Sequence, residues 1–295
     1  MKVLKYIFAT VCMVLTLSCS GTIDPEDQGG EQSGGEGGNG TETEIPSRYV
    51  QQMVAMQFTS VGCTNCPLLA SAIKNIQTNM PGVIIPVAFH MDYEISDPMK
   101  LDINRKFYDM VDQVKDNTIG LPMFALNFRA GSQHIVNEYA KIQSEIKHQS
   151  ENYPAVCGVA IETSYDEATR KLQVKACFSS DLAVPFRYHI MLLEDGIEYA
   201  QVGDDSGNYI HDNVLRHVSA DDVRGAKLDS GNALVAGKEY LVEKTYDISE
   251  SWNAAHMKVL VAMLKEDEKN VWGSSNANIC AAGDSVEYLY LEKDE

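Results

Sequence analysis

The residues best suited to chemistry are two cysteines set two apart, in Phe58-Thr59-Ser60-Val61-Gly62-Cys63-Thr64-Asn65-Cys66-Pro67. An apolar run, Val50 to Phe58, precedes them. Leu69, Ala72, Ile73 and Ile76 follow at helical spacing within Leu68 to Thr78. Cysteines at a helix start meet unpaired backbone N–H groups and the positive end of the dipole, which favour a thiolate. Cys63 is then placed to attack a disulfide as nucleophile, and Cys66, one turn on, to resolve the mixed intermediate. The competing reading is a structural disulfide. Neither a second cysteine pair nor a nearby histidine completes a zinc site, so no metal is expected here.

A second signal lies far along the chain. Gly120-Leu121-Pro122 sits immediately before the strand-like run Met123 to Phe128. In thioredoxin-like folds a cis-proline at that place lies against the cysteine pair and shapes a substrate groove, which gives Pro122 a role in the redox reading. Other features favour the structural one. Gly62 stands where the commonest thioredoxin centre has tryptophan, and Thr64-Asn65 stand where it has Gly-Pro. Gln57 occupies the place of the buried acid that relays protons.

Other clusters are weaker. His211, Arg216 and His217 match no metal-ligand spacing and read as a loop packing the second half against the first. Asp204-Asp205-Ser206-Gly207-Asn208 lacks the loop-closing glutamate of a calcium site and reads as a solvated turn. Cys157 and Cys177 flank a hairpin centred near Glu167, yet alternation puts them on opposite faces, so a disulfide there would need a bulge. Cys280 falls in an expected loop, Ser274 to Gly283. The pairing of these three cysteines stays open. Trp252 and Trp272 read as core or rim aromatics.

The elements that must position these residues fall into two rhythms. From 46 to 152, strand-like and helical patterns alternate: Val50 to Phe58, the helix after Cys66, Val83 to Phe89 (disturbed by Pro86), a helical stretch from Pro98 to Val114, Met123 to Phe128, and a last helix from Asn137 to His148. That order predicts a mixed sheet covered by helices, thioredoxin-like in plan. From 153 to 295 strands dominate: Val156 to Thr163, Leu172 to Phe178, Phe186 to Leu193, Glu239 to Asp247, Lys258 to Lys265 and Ser285 to Leu291. They predict an all-β sandwich of immunoglobulin-like type.

The N-terminus predicts export. Lys2 and Lys5 precede an apolar run, Tyr6 to Leu17, too short to span a bilayer, and Ser18 then Cys19 close it. Residues 1–18 are expected to be a signal peptide, and Cys19 the lipidated first residue of the mature chain. Residues 19–45 are glycine-rich and acidic without lysine or arginine, and are expected to form a disordered tether. The chain as a whole has 24 basic and 42 acidic residues, a net charge of −18. That balance argues against nucleic acid as a partner, because phosphate binding needs a basic face.

With these residues in hand, the chain resembles the outer membrane protein 28-related lipoproteins. The likeness rests on Phe58-Thr59-Ser60 leading into Cys63-Thr64-Asn65-Cys66-Pro67, on Gly120-Leu121-Pro122, and on His211-Asp212-Asn213-Val214-Leu215-Arg216. The resemblance implies a thioredoxin-like domain joined to a β-sandwich and held at the outer membrane. It implies no defined reaction. The expected function is therefore an outer-membrane-anchored lipoprotein of binding or adhesion type, facing the cell surface or, as the alternative, the periplasm, and needing no cofactor. Its partners are the membrane, through the lipid on Cys19, and a protein or peptide. The alternative is an extracytoplasmic thiol–disulfide oxidoreductase using Cys63 and Cys66.

Overall fold

Residues 48–112, 118–130, 132–133, 139–205 and 207–291 are described by a computed structural model. The expected signal peptide, Cys19 and the tether lie outside them. The first half supplies β1 (Met53–Thr59), α1 (Cys66–Asn79), β2 (Ile84–His90), α2 (Asp102–Val111), β3 (Met123–Leu126), β4 (Ser132–Gln133) and α3 (Tyr139–Asn152). The expected boundary near Asn152 to Pro154 falls between α3 and β5 (Cys157–Asp166). Then come β6 (Lys171–Ser180), β7 (Phe186–Glu194), β8 (Ile197–Glu198), β9 (Ile210–His211), β10 (Val214–Val218) and β11 (Ala226–Lys227). The chain continues through β12 (Glu239–Asp247), β13 (Met257–Glu266), β14 (Trp272–Ala281) and β15 (Ser285–Val286).

The strand β1 is buried along its whole length, as Met-Val-Ala-Met-Gln-Phe-Thr requires when both faces are covered. It pairs in parallel with β2, Met53 to Ile84 through Thr59 to His90, and antiparallel with β3, Phe58 to Met123. The sheet does not end there. Ala88 of β2 pairs with Val214 of β10, which runs antiparallel to β7, and β13 and β14 follow. The resulting order is β14-β13-β7-β10-β2-β1-β3-β4, with β11 added to β7. Pro86 is tolerated inside β2 because β10 meets that strand at Ala88 alone, which leaves the flank beside Pro86 without a ladder to break.

One face of this sheet carries a continuous core. Phe58, Phe89, Phe107 and Tyr108 pack there with Met191, Leu193, Leu260 and Leu264 from the second half. Ring centroids of Phe58 and Phe89 are 5.0 Å apart, and those of Phe89 and Phe107 5.2 Å. The opposite face is divided. Met53, Ala55, Leu69, Ile73, Ile142 and Ile146 bury α1 and α3 against the β1 end. Ile190, Leu192, Val259 and Val261 bury a second sheet, order β12-β6-β5-β15, against the β13 end. Alternation along β7 and β13 divides their side chains between the two cores, as period-two strands must. Burying each large apolar side chain contributes roughly 1.5–3 kcal/mol.

Two expectations need correction. Ser274 to Gly283 is not a loop: its first eight residues belong to β14, which pairs with β13 from Lys258–Ala281 to Glu266–Trp272. Its polar sequence hides a buried strand whose asparagines hold neighbouring backbone. Asn276 Nδ2 donates to the carbonyls of Val50 and Cys157, and Asn278 Nδ2 to those of Val159 and Glu287. The segment around His211 is not a packing loop either; it forms β9 and β10, and β10 carries the sheet from one half to the other. Face parity held for the cysteines: Cys177 lies opposite Ala160 and Cys157 opposite Ser180, in unbroken register. Among the described residues, no disulfide joins Cys157, Cys177 and Cys280 to one another.

Candidate functional site

Helix α1 begins at Cys66, with Asn65 as its N-cap and Pro67 in the first turn, where a missing N–H is harmless. Cys63 and Cys66 are joined by a disulfide, Cα to Cα 5.4 Å. The Leu121–Pro122 bond is cis. Because Phe58 faces Met123 in the β1–β3 register, Pro122 stands one residue beyond, at the end of β1 from which the chain leaves toward Cys63. Gly62 is required where the chain turns: a Cβ there would lie 2.2 Å from the carbonyl oxygen of Tyr93.

The sulfurs are not presented to solvent. Cys63 is 2% exposed and Cys66 1%. Residues 201–203, between β8 and β9, form a roof over the backbone of the turn that carries them. The Gln201 side-chain amide lies within hydrogen-bonding reach of the carbonyls of Ser60 (3.1 Å), Val61 (3.3 Å) and Cys63 (2.9 Å), and the Val202 N–H donates to Val61 at 2.9 Å. Gly203 lies so close that a Cβ would sit 2.3 Å from the Thr64 carbonyl oxygen. A floor answers the roof. Asp97, 1% exposed, accepts from the Val61 and Met99 N–H groups and sits 2.8 Å from His90 Nδ1. Burial pushes its carboxyl up, but the His90 hydrogen bond and charge and the two backbone donors outweigh that and hold it below its ordinary range.

On the flank of α1, over β1 and β2, lies a cavity of about 350 Å³. Gln57, Thr59 and His90 line its base, Ser71 and Lys74 the helix side, and Tyr209 and His211 the hairpin side. The His90 and His211 rings are 5.1 Å apart, edge to face. His211 Nε2 lies 3.3 Å from the Tyr199 carbonyl, and burial, then the neighbouring His90, pushes its pKa down to about 4. Gln57, 9% exposed, has no partner for its amide among the described residues.

The structure thus brings Cys63, Cys66 and the Pro122 end of β3 to one edge of the sheet, and separates His211 from its sequence neighbours. Arg216 pairs with Glu194 at 2.7 Å, and His217 packs on Tyr246 at 5.1 Å. Sequence reasoning missed Asp97, Gln201 and the cavity. Gly203 and Gly207 take positive φ in this connection. Among the described residues no group of three histidine, cysteine or acidic side chains is placed to hold a metal, and no helix is long and apolar enough to cross a membrane.

Fold and site define a β-rich protein in which a mixed sheet carries a covered disulfide at a helix start. The chain belongs to the Omp28 family, described as Outer membrane protein Omp28, whose model matches residues 112–280. That range includes Pro122, Gln201 and the His211 segment but not Cys63 and Cys66. Among solved structures it is similar to HBP35 of Porphyromonas gingivalis, with TM-score 0.64 and 16% identity over 80% of this chain and 76% of that one. It is also similar to a structural-genomics protein of Agrobacterium tumefaciens, with TM-score 0.52 and 13% identity over 82% and 97%. These likenesses concern the fold. No curated protein matches the chain.

Proposed function

We propose that this outer membrane family member is a lipid-anchored binding protein, held by Cys19 and built on a thioredoxin-like scaffold with a β-sandwich. In this reading the Cys63–Cys66 bond is structural. The observation that carries it is the roofed disulfide. An exchange catalyst needs an attackable sulfur, and here both cysteines are buried in the core, with Gln201, Val202 and Gly203 packed on the backbone of the turn that carries them. Gln57 supports the same reading, since an amide takes no proton. Exposed apolar side chains gather on the segments around the sealed turn, Leu68, Ile95, Tyr199, Val202 and Ile210, and supply a surface for a protein or peptide partner. The reading involves no metal, cofactor or nucleic acid.

A thiol–disulfide oxidoreductase is the second reading, favoured by one observation: the pair opens a helix at the sheet edge that also holds cis Pro122. An insulin-reduction assay of the parent and of Cys63→Ser separates the two. Equal, negligible rates are expected; a parent rate well above that of Cys63→Ser would overturn the binding reading. For the anchor, a palmitate analogue should label the cell-expressed parent and not Cys19→Ala. Label persisting in Cys19→Ala would refute it. Protease shaving of intact cells should release the folded part if it faces outward.

A further inference from the structure

We propose that the cavity beside α1 is a binding site for a single neutral, hydroxyl-rich ring, a monosaccharide unit; this rests on the binding reading above. Size is the first argument. About 350 Å³ accommodates one six-membered sugar ring and little more. The second is an unmet hydrogen-bonding demand. Gln57 is nine-tenths buried, lines the cavity, and finds no partner in the protein among the described residues. Its amide opens onto the cavity, so water or a ligand completes its hydrogen bonds.

The third argument fixes the ligand's polarity. Asp97, a carboxylate, takes the Nδ1 proton of His90, and the Tyr199 carbonyl takes the Nε2 proton of His211. The His211 ring, held neutral by its burial, then keeps a lone pair on Nδ1, which has no protein partner among the described residues. The Gln57 amide adds a carbonyl that accepts and an NH2 that donates, and the Thr59 and Ser71 hydroxyls do both, so the wall suits a ligand whose groups donate and accept alike. Among the described residues, the lysine and carboxylate side chains lining the cavity, Lys74 and Asp212, are exposed and of opposite sign, so they favour no net charge on the ligand. Hydroxyl groups meet these terms, and the apolar Ile73 and Ala88 with the Tyr209 ring suit the C–H faces of a sugar.

The test is saturation-transfer NMR on the full mature chain in a detergent without sugar headgroups. The probes are glucose, galactose, mannose, fucose and N-acetylglucosamine, each alone. At least one should give a signal. Gln57→Leu should weaken its binding about tenfold, the loss of one buried hydrogen bond. Ser71→Trp, at an exposed helix position on the cavity wall, should abolish it while leaving the thermal midpoint unchanged. Silence from all five probes, with water alone in the cavity, would overturn the proposal. So would a signal that survives Ser71→Trp. Capture of a protein partner by a chain that ignores all five sugars would sink the sugar site and leave the binding reading standing.

Discussion

At the start of α1, Cys63 and Cys66 are buried, and the backbone of the turn that carries them is held by Gln201 above and Asp97 below. On the flank of the same helix, Gln57, Thr59, His90 and His211 line an open cavity, and Gln57 has no protein partner among the described residues. The residues that look reactive are sealed, and those that look inert are left wanting hydrogen bonds. Residue type announced chemistry in the first region and little in the second; accessibility and unmet polar demand reverse the ranking. A disulfide works as a reagent only if a thiolate can reach it, whereas an amide that opens onto a cavity without a protein partner is free to bond a ligand.

The comparison can be broken most severely at the floor of the sealed region. Asp97→Ala removes the partner of His90 and the acceptor of two backbone N–H groups. It should cost about 3–5 kcal/mol, the range for breaking a buried pair, measured by chemical denaturation at neutral pH. A loss below about 1 kcal/mol would show that the floor is not what holds the turn.

Acid should act next. His189, wholly buried, sits between Phe107 and Phe128 and has one nitrogen beside the Val223 carbonyl at 3.0 Å. Burial pushes its pKa down to about 4, and His211 is likewise held near 4. A histidine depressed in the folded state binds its proton more readily when unfolded. Stability is therefore fully present above about pH 6.5 and falls as pH drops from there toward 4. The slope for His189 corresponds to roughly 3 kcal/mol across that window. His189→Phe should flatten the curve of unfolding free energy against pH, and an unchanged slope would refute the assignment.

A smaller change sharpens the roof. Gln201→Ala should cost about 1–2 kcal/mol of stability, as lost hydrogen bonds to buried carbonyls imply, and should leave the fold intact by circular dichroism. At the surface, Lys171 and Asp247 pair across strands at 2.7 Å, but both are at least half exposed. Lys171→Ala should change stability by less than about 0.5–1 kcal/mol, which sets the scale for an unimportant contact.

Much of this could be read from the chain before its structure. The cysteine spacing before a helical pattern, Pro122 before Met123, and the alternation in β5, β6 and β12 are local signals, and local periodicity reports them faithfully. The hairpin of β5 and β6 even kept Cys157 and Cys177 apart as their faces required. What stayed hidden depends on distant partners. β14 reads Trp-Gly-Ser-Ser-Asn-Ala-Asn and gives no apolar stripe, because its asparagines are buried to satisfy backbone of other strands. Asp97 and Gln201 are single polar residues in irregular segments, and nothing in their neighbours shows that one lies beneath Val61 and the other above it. The cavity could not be seen for the same reason: β10, which carries the sheet between the halves, read as a loop.

Thiol trapping of the folded chain tests the sealed disulfide most directly. The parent and Gln201→Ala are held in millimolar dithiothreitol at neutral pH, alkylated at intervals, and Cys63 and Cys66 are followed by mass spectrometry. The parent bond should resist reduction, and Gln201→Ala should lose it at least about tenfold faster, as expected when access limits exchange. Rapid reduction of the parent, at the same rate as Gln201→Ala, would contradict the account.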